Sequence, residues 1–449
     1  MQQTLSMKNT IAMGFLAFSM FLGAGNLIFP PMAGYLSGVN VWHAALGFLI
    51  TGVGLPLLAI VTISRVGGNF NAITQEFPPW LITCMGSCIF LLVGPLYAVP
   101  RTAVVAYEIG VSHFFKGTTS LTLQLLFCTI FFFATWILCL QPGRLLETVG
   151  KIITPALIIL LLILGLSPVI FPQGELENAI DPYSQTPLLR GFLEGYMTMD
   201  ALAAFVFGVV IMTNLKSHGI SEQKPLTRYS IYTGLIAATG LTLVYISLFY
   251  LGATARDIIE NPSTGGQILA LYVEHLSGSI GSIFLSFIVI IACLTTAIGC
   301  ITAAGEYFHE LLANKLRYSW IITIMCISCI ILASMDLNKL IQLFTPVLLV
   351  LYPSSIVLIL LGLIKQHIPN PILTYRTTLL VTFIFSLIDV SQDLTVLAPI
   401  ITTISFLPGM NAHMSWPVPG VASFLITLPL GWLLRTDPPS LQKDKIIVK

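Results

Sequence analysis

Long apolar runs alternate with short polar stretches along the whole chain of 449 residues. A helix needs about 20 apolar residues to cross the hydrocarbon core of a bilayer. A further apolar stretch, Leu394 to Leu407, is short and is followed by prolines, so we interpret it as an external or re-entrant piece. The pattern predicts an all-α membrane protein with twelve spans, at residues 9–36, 41–64, 81–112, 120–140, 150–171, 191–215, 229–253, 278–305, 317–335, 340–364, 374–390 and 418–435.

Composition agrees with a membrane protein. Hydrophobic residues make up 56% of the chain and charged residues 9%, whereas a soluble domain carries about 25% charged residues. The net charge of +1 offers no basic surface for nucleic acid, so we expect no nucleic-acid partner. All eight cysteines fall in apolar segments, which predicts buried free thiols rather than disulfides or a metal site. We expect no cleavable leader, because no small-residue cleavage site follows the first apolar segment.

Lysine and arginine predict the orientation, since cytoplasmic loops of membrane proteins carry an excess of both. With twelve spans and a cytoplasmic N-terminus, fifteen of the 20 basic residues fall on the cytoplasmic side, and Arg101 falls within a span. A thirteenth span would place the basic tail Lys443–Lys445 outside, so we expect both termini in the cytoplasm. The outer side then holds Lys116, Arg190, Arg256 and Lys339.

The first predicted span is poorly suited to a continuous helix at its centre, Phe21–Pro31. Asn26 lies there, and the residue before the prolines, Phe29, is expected to lean toward an extended conformation. We predict a break between about Leu22 and Phe29, with free N–H groups for a carboxylate and free carbonyls for a cation. A packing kink is the alternative. The residues that disfavour a helix are Gly23, Gly25, Pro30 and Pro31.

An inverted repeat would place a second break in the sixth span. Two five-helix units, about 9–171 and 191–364, would be inverted copies, which is a known plan of transporters. The corresponding break is expected within Asp200–Gly208. Gly208 is equally well interpreted as a hinge or as a packing residue.

The third span carries a full charge at membrane depth. Pro95 and Pro100 are expected to kink this span, and Arg101 follows them. A buried charge should face a cavity or a partner, and the candidate partners are Glu108 and Asp200. A structural ion pair and a direct contact with substrate both remain open for Arg101.

The eighth span carries two adjacent threonines, Thr295 and Thr296. Their hydroxyls either bond to carbonyls of their own helix or provide an oxygen ligand to a hard cation such as Na⁺. Adjacent helical side chains point about 100° apart, so we expect only one of the two to reach a cation.

The sequence contains no Gly-x-Ser-x-Gly, His-Glu-x-x-His or P-loop motif, so no enzyme signature is evident. The group Glu306–Glu310, which includes His309, is expected to be a solvated helix end. Asp389 and Asp393 are expected in a solvated loop. A membrane-embedded enzyme that uses Asp200, Asp389 or the Glu306/His309 pair remains an alternative.

Four motifs together resemble the BrnQ family of bacterial branched-chain amino acid carriers. They are Gly23–Pro31, Gly94–Thr102, Thr198–Gly208 and Cys293–Gly299, and the resemblance extends over essentially the whole chain. It implies import of leucine, isoleucine and valine across the bacterial inner membrane, coupled to a cation that is normally Na⁺. It also implies a LeuT-like fold of ten core helices plus two.

The resemblance implies where the ligands bind. The amino acid carboxylate would meet the N–H groups of Ala24 and Gly25, and Asn26 would be a ligand to one cation. The pocket for the aliphatic side chain would be formed by Tyr97, Phe205, Phe207 and Gly208.

A second cation would lie between carbonyls of the first span, Ser19 and Leu22, and hydroxyls of the eighth, Thr295 and Thr296. Further candidates for a functional role are Gly23, Pro30, Pro100, Arg101 and Asp200.

We therefore expect a transport core at residues 1–365, followed at 366–449 by the eleventh span, the external piece, the twelfth span and a cytoplasmic tail. A small amino acid, a cation and the lipid bilayer are the expected partners, with no cofactor besides the coupling ion. A proton-coupled carrier or exchanger of another apolar or aromatic amino acid remains an alternative.

Overall fold

The chain folds as an assembly of helices. A computed structural model describes residues 4–66, 68, 70–114, 121–140, 154–392 and 398–434, and these residues contain no strand. The predicted all-α class is confirmed. The helices are α1 (Met7–Phe21), α2 (Ala24–Ser37), α3 (Val41–Leu49), α4 (Leu55–Val66), α5 (Phe70–Thr74), α6 (Pro79–Leu91), α7 (Ala98–Gly110), α8 (Leu121–Cys139), α9 (Thr154–Ile170), α10 (Pro187–Met197), α11 (Asp200–Ser217), α12 (Gln223–Ala253), α13 (Gly265–Leu311), α14 (Tyr318–Leu332), α15 (Leu337–Ile364), α16 (Pro371–Val390), α17 (Ala398–Ile404) and α18 (Pro417–Leu433).

Helices, continuous or interrupted, lie over all twelve predicted spans. By length and apolar composition, eight helical stretches in the described part of the chain could cross a membrane, and three shorter apolar helices accompany them. The count of twelve therefore stays a prediction. Large apolar side chains on the outer surface, such as Phe133 and Ile163, are 59% and 63% exposed, as a lipid-facing surface requires.

The first predicted span is broken at its centre, as expected. α1 ends at Phe21, Leu22 has ψ 84°, Gly23 is extended, and α2 begins at Ala24. The expectation that Phe29 is extended is wrong, because Phe29 and both following prolines lie inside α2.

Close packing explains how α2 continues through the prolines. A Cβ placed on Gly34 would lie 2.1 Å from the carbonyl oxygen of Phe249, and one on Gly252 would lie 2.0 Å from that of Pro31. The backbones of α2 and α12 therefore touch directly. This tertiary packing outweighs the local preference against a helix before proline.

The sixth predicted span is also broken, but not where the sequence indicated. α10 ends at Met197 and α11 begins at Asp200, and the linking residue Met199 has the left-handed φ of 68°. The helix runs unbroken through Asp200–Gly208. Gly208 is a packing residue, since a Cβ there would lie 2.5 Å from Ile63 Cδ1.

The third predicted span is interrupted as well, and the helix that covers the eighth has an interruption at the first residue of that span. A π-helical turn at Leu92–Leu96 contains Pro95 and also Gly94, whose backbone angles are not helical, and this confirms the kink. Pro100 is only the third residue of α7, where its missing N–H costs no helical hydrogen bond. In α13, Gly278 has φ 61° and separates the shorter N-terminal part of the helix from the longer part that carries the two threonines.

Asp389 is buried, so the prediction of a solvated loop is wrong for this residue. It is 1% exposed, and the Ser415 N–H donates to its carboxylate oxygens at 2.9 and 3.2 Å. The chain beyond α17 folds back over the end of α16, where His413 Nδ1 lies 2.6 Å from the Asp389 carbonyl oxygen. Asp393 lies outside the described residues.

The structure also locates several other residues for which the sequence made a prediction. α17, seven residues long, lies within the stretch expected to be external or re-entrant, and Leu394 itself is outside the described residues. Lys116 and the basic tail are likewise outside them. All eight cysteines are free, but Cys84 and Cys88 are exposed on α6 rather than buried, because they lie on its outer side. Among described residues no group of three or more His, Cys, Asp or Glu side chains is arranged to hold a metal ion.

Candidate functional site

The two broken spans meet in the centre of the protein. A Cβ placed on Gly25, in the first turn of α2, would lie 3.2 Å from Thr198 Cα in the linker between α10 and α11. Asn26 Nδ2 donates to Asp200 Oδ2 at 2.7 Å. The ends of four helices therefore converge on one buried point.

The N-terminus of α2 presents backbone N–H groups to this point. Asn26 Oδ1 accepts from the Gly23 N–H at 3.1 Å. The N–H groups of Ala24 and Gly25 belong to the first turn, where a helix leaves its N–H groups without intrahelical partners. Together with the helix dipole, they form a site suited to a carboxylate.

Arg101 lies beside this N-terminus and forms no ion pair with any described residue. Its Nη1 donates to Tyr97 Oη at 3.1 Å and to the Met197 carbonyl at 2.8 Å. Its Nη2 donates to the Thr198 carbonyl at 3.4 Å and would lie 2.7 Å from a Cβ on Gly25. Nε is buried and has no partner among the described residues. The guanidinium thus caps the C-terminal end of α10.

The expected ion pairs of Arg101 are not formed. Glu108 instead accepts a hydrogen bond from Thr264 Oγ1. Asp200 is 2% exposed and accepts from Asn26 Nδ2 and, at 2.9 Å, from Tyr245 Oη. Asn26 Nδ2 also bonds to Tyr245 Oη, so the three side chains form one closed network.

Thr296 faces the end of α1. Its Oγ1 lies 3.1 Å from the Leu22 carbonyl oxygen, 3.2 Å from that of Met20 and 3.5 Å from that of Ser19. Carbonyls in the last turn of a helix lack intrahelical partners, so this end is rich in free oxygen atoms. Oxygen atoms are the ligands that hard cations take.

Thr295 does not share this position. Its Oγ1 donates to the Ala292 carbonyl of its own helix at 2.9 Å. Only one of the two hydroxyls therefore reaches the break, and the expectation that only one reaches a cation stays a prediction. The structure brings Thr296 together with Ser19 and Leu22, and it places Thr295 elsewhere.

Comparison with known proteins identifies the family. The family described as branched-chain amino acid transport protein matches residues 6–433. The chain belongs to this family. The resemblance to BrnQ carriers is thereby confirmed.

Named relatives agree with this family. The branched-chain amino acid transport system 2 carrier protein of Pseudomonas aeruginosa is 44% identical over 84% of this chain and 86% of its own length. The permease BraB of Bacillus subtilis is 38% identical over 96% of this chain and 98% of its own. The permease BrnQ of Escherichia coli K12 is 35% identical, over 96% and 97%. These proteins are transporters and permeases, so the chain is a membrane protein and not an enzyme.

Solved structures support the fold. Mhp1, a nucleobase-cation-symport-1 family transporter in a closed conformation with bromovinylhydantoin bound, has a TM-score of 0.62 at 13% identity, over 96% of this chain and 93% of its own. A Na⁺-coupled sialic acid symporter in a substrate-bound outward-open state has a TM-score of 0.61 at 13% identity, over 94% and 90%. At this identity the likeness concerns the fold alone, which is of the LeuT-like transporter type.

Only some of the aromatic residues predicted to form the substrate pocket lie at the site. Tyr97 stacks on Phe344 with ring centroids 5.0 Å apart and lies under Arg101. Phe207 meets Phe21 at the end of α1, with centroids 5.1 Å apart. Phe205 packs instead against Phe70 of α5.

A cavity leads toward the site from the face opposite the N-terminus. Its volume is about 400 Å³, and its lining includes Phe29 of α2, Met197 of α10 and Thr345 of α15. Phe29 and Met197 also flank Arg101, through its ring contact and its hydrogen bond. The cavity therefore ends at the wall of the site.

Sequence reasoning missed three contributors. Tyr245 belongs to no recognisable motif. The only available signal is that a tyrosine in an apolar span usually forms a hydrogen bond through its hydroxyl. The carbonyl of Met20 and the cap that Arg101 forms on Met197 involve backbone atoms, which residue types do not reveal. No sequence signal marked the break at Met199.

Proposed function

We propose that this protein is a secondary active transporter that imports leucine, isoleucine and valine across the bacterial inner membrane, coupled to Na⁺. The names of its relatives support the substrate class. The similarity in fold to a Na⁺-coupled symporter agrees with cation coupling.

One observation carries the proposal: Thr296 Oγ1 lies within 3.5 Å of the carbonyl oxygens of Ser19, Met20 and Leu22. A bound Na⁺ would take oxygen ligands from this group, at the negative end of the α1 dipole. The group contains no carboxylate, which suits a monovalent cation that must also be released. Asn26 would act indirectly, since its side chain caps Gly23 and bonds to Asp200.

The substrate carboxylate would meet the N–H groups of Ala24 and Gly25, with the positive charge of Arg101 alongside. Its aliphatic side chain would lie toward Tyr97 and Phe207. One methylene in an apolar pocket changes binding by only about 1–3 kcal/mol, so the three branched amino acids should share the site.

Coupling to one cation is energetically sufficient. Moving one charge through about 100 mV releases about 2.3 kcal/mol, and a roughly tenfold concentration gradient adds about 1.4 kcal/mol. Together they support roughly 500-fold accumulation of substrate.

The architecture that we propose has twelve spans, with both termini in the cytoplasm. Residues 1–365 would form a ten-helix core of two inverted repeats, 9–171 and 191–364, and residues 366–449 would follow as an addition. The interruptions in the first and sixth segments support this arrangement, because each would be the first helix of its repeat.

A second candidate is coupling to protons. Asp200 is the observation that favours it, because this buried carboxylate bonds to Asn26 and Tyr245 within the site. Protonation there would change a hydrogen-bond network that touches the break of the first span.

Uptake into proteoliposomes tests both candidates. Radiolabelled leucine is supplied under an inward Na⁺ gradient, an inward proton gradient, or neither. The proposal predicts accumulation with Na⁺ at constant pH and competition by isoleucine and valine. Accumulation that needs only the proton gradient would replace the proposal with the second candidate, and absence of leucine counterflow would refute transport of leucine altogether.

A further inference from the structure

We propose that a basic pocket on the N-terminal face binds the phosphate headgroup of an anionic phospholipid from the adjacent leaflet. The basic pocket is the cavity of about 820 Å³ lined by Arg65, Lys224, Arg228, Lys365 and His367 among others. It is separate from the transport site and its function.

Three helix ends form the basic pocket. α4 ends there with Arg65 in its last turn, α12 begins there, and α15 ends there. The N-terminal segment lies on the same face, since the Leu5 N–H donates to Tyr229 Oη on α12 at 2.9 Å. A ligand in the pocket would therefore bridge three separate parts of the chain.

The positive charge in the basic pocket is only partly compensated. Its lining contains no acidic residue among those described. Lys365 is neutralised by Glu76 at 2.8 Å, but Arg65 and Lys224 are exposed and have no hydrogen-bond or ion-pair partner in the described part of the chain. Arg228 bonds to Tyr232 Oη at 3.1 Å, which leaves its charge in place. The pocket thus offers three positive groups to one anion.

Apolar surfaces on both sides favour a lipid over a soluble anion. On α12, Tyr232 and Leu235 are 40% and 47% exposed, and on α15, Leu360 and Ile364 are 45% and 38% exposed. These side chains continue from the pocket along the outer surface of the helices. A phosphate in the pocket would leave the acyl chains lying against them, and tyrosine is a residue typical of this depth. Basic pockets between helices on the cytoplasmic side suit anionic headgroups.

Lipid titration of the purified protein in detergent, followed by native mass spectrometry, tests this inference. The probes are phosphatidylglycerol and phosphatidylcholine with identical acyl chains. We expect one tightly bound phosphatidylglycerol and much weaker binding of phosphatidylcholine. The double variant Arg65→Gln/Lys224→Gln should bind phosphatidylglycerol about 30-fold more weakly.

A matched control removes the same charge from the same face. Lys315→Gln/Arg317→Gln changes two exposed basic residues between α13 and α14, outside the basic pocket. Its affinity for phosphatidylglycerol should stay within about twofold of the native value. Equal losses in both variants would show a diffuse charge effect and overturn the site.

Two further outcomes would also overturn the inference. Equal binding of phosphatidylcholine would mean that no headgroup charge is recognised. Displacement of phosphatidylglycerol by a large molar excess of inorganic phosphate would assign the pocket to a soluble anion. Arg228→Gln provides a second variant, and it should weaken phosphatidylglycerol binding while the protein elutes as a single unaggregated species.

Discussion

The first and sixth predicted spans are both interrupted, but different contacts hold the two interruptions. At Leu22–Gly23 the cap on the new helix is local, since Asn26 Oδ1 accepts from the Gly23 N–H, and the hydroxyl of Thr296 reaches the Leu22 carbonyl from far along the chain. At Thr198–Met199 the Thr198 hydroxyl accepts locally from the Asp200 N–H, and a charged group comes from far along the chain, because Arg101 of α7 donates to the carbonyls of Met197 and Thr198. The distant contact at the first break is a neutral hydroxyl, and the distant contact at the second is a guanidinium.

The difference extends to charge. The groups that form the first break are neutral, namely the amide of Asn26 and the hydroxyl of Thr296, although Arg101 and Asp200 lie beside α2. The second break is held by the guanidinium of Arg101, whose positive charge complements the C-terminal end of α10. A buried break held by a full charge should be the more sensitive of the two to substitution.

Removing the charge at the second break should have the largest effect. Arg101→Gln is expected to lower leucine uptake at least roughly 100-fold, because two hydrogen bonds from a charged donor contribute about 1.5–3 kcal/mol each. Tyr97→Phe is the control, since it removes only the hydroxyl that accepts one hydrogen bond from the same guanidinium, and it should lower uptake about fivefold. Uptake per membrane-inserted protein is the measurement. Near-native uptake by Arg101→Gln would show that the second break does not need its distant cap.

The cation affinity of the first break should depend on one threonine. Thr296→Val removes an oxygen from the group formed with Ser19, Met20 and Leu22, and the Na⁺ concentration for half-maximal uptake should rise about 10- to 100-fold. Thr296→Ser should restore most of the affinity, because it returns the oxygen. Thr295→Val is the matched control and should leave the Na⁺ dependence unchanged. If both valine variants keep the native dependence, the cation binds elsewhere.

Asn26 distinguishes a structural cap from a cation ligand. Asn26→Ala should weaken both leucine and Na⁺ affinity about tenfold, because the cap on Gly23 and the bond to Asp200 are lost together. Asn26→Asp should be worse, since it places a second carboxylate beside Asp200. Measured affinities for both ligands decide the matter. Tighter Na⁺ binding by Asn26→Asp would instead identify the side-chain oxygen as a direct ligand.

The smallest effect is expected at Met199. Its left-handed backbone costs a non-glycine residue about 1–2 kcal/mol, which Met199→Gly would relieve. The added flexibility of the unfolded chain offsets roughly 0.5–1 kcal/mol of that gain. Met199 is 1% exposed, and loss of a buried methionine side chain costs about 2–5 kcal/mol, which outweighs the relief of backbone strain. Uptake per folded protein should therefore remain within about twofold of native, with a lower melting temperature. A large loss of uptake would mean that the Met199 side chain, and not only its backbone, supports the second break.

Local chemistry explains which parts of the site could be predicted. Gly23 and Asn26 mark the first break because their conformational preferences act where they lie. Thr296 was recognisable from the family motif, but its partner Met20 contributes only a carbonyl, which any residue would provide. The second break follows from Arg101, which lies almost a hundred residues earlier in the sequence.

The wrong predictions about the fold have the same origin, because they also depend on residues far along the chain. The proline after Phe29 disfavours a helical conformation at Phe29, but direct backbone contact between α2 and α12 keeps this residue helical. Asp389 ends an apolar helix, which indicates a solvated end, yet Ser415 reaches it from a loop that sequence patterns do not place. Long apolar segments were placed well because hydrophobic length is a property of each segment by itself.

The contact between α2 and α12 has a mechanical consequence. Gly34 and Gly252 allow each helix to rest its backbone on the other, with no side chain between them to slide or change rotamer. Such a contact resists gradual sliding, so we expect α2 and α12 to move together as one rigid unit. The hinge of α2 would be Leu22 and the extended Gly23, and a motion that widens the cavity beside Phe29 would also displace the carbonyls that face Thr296.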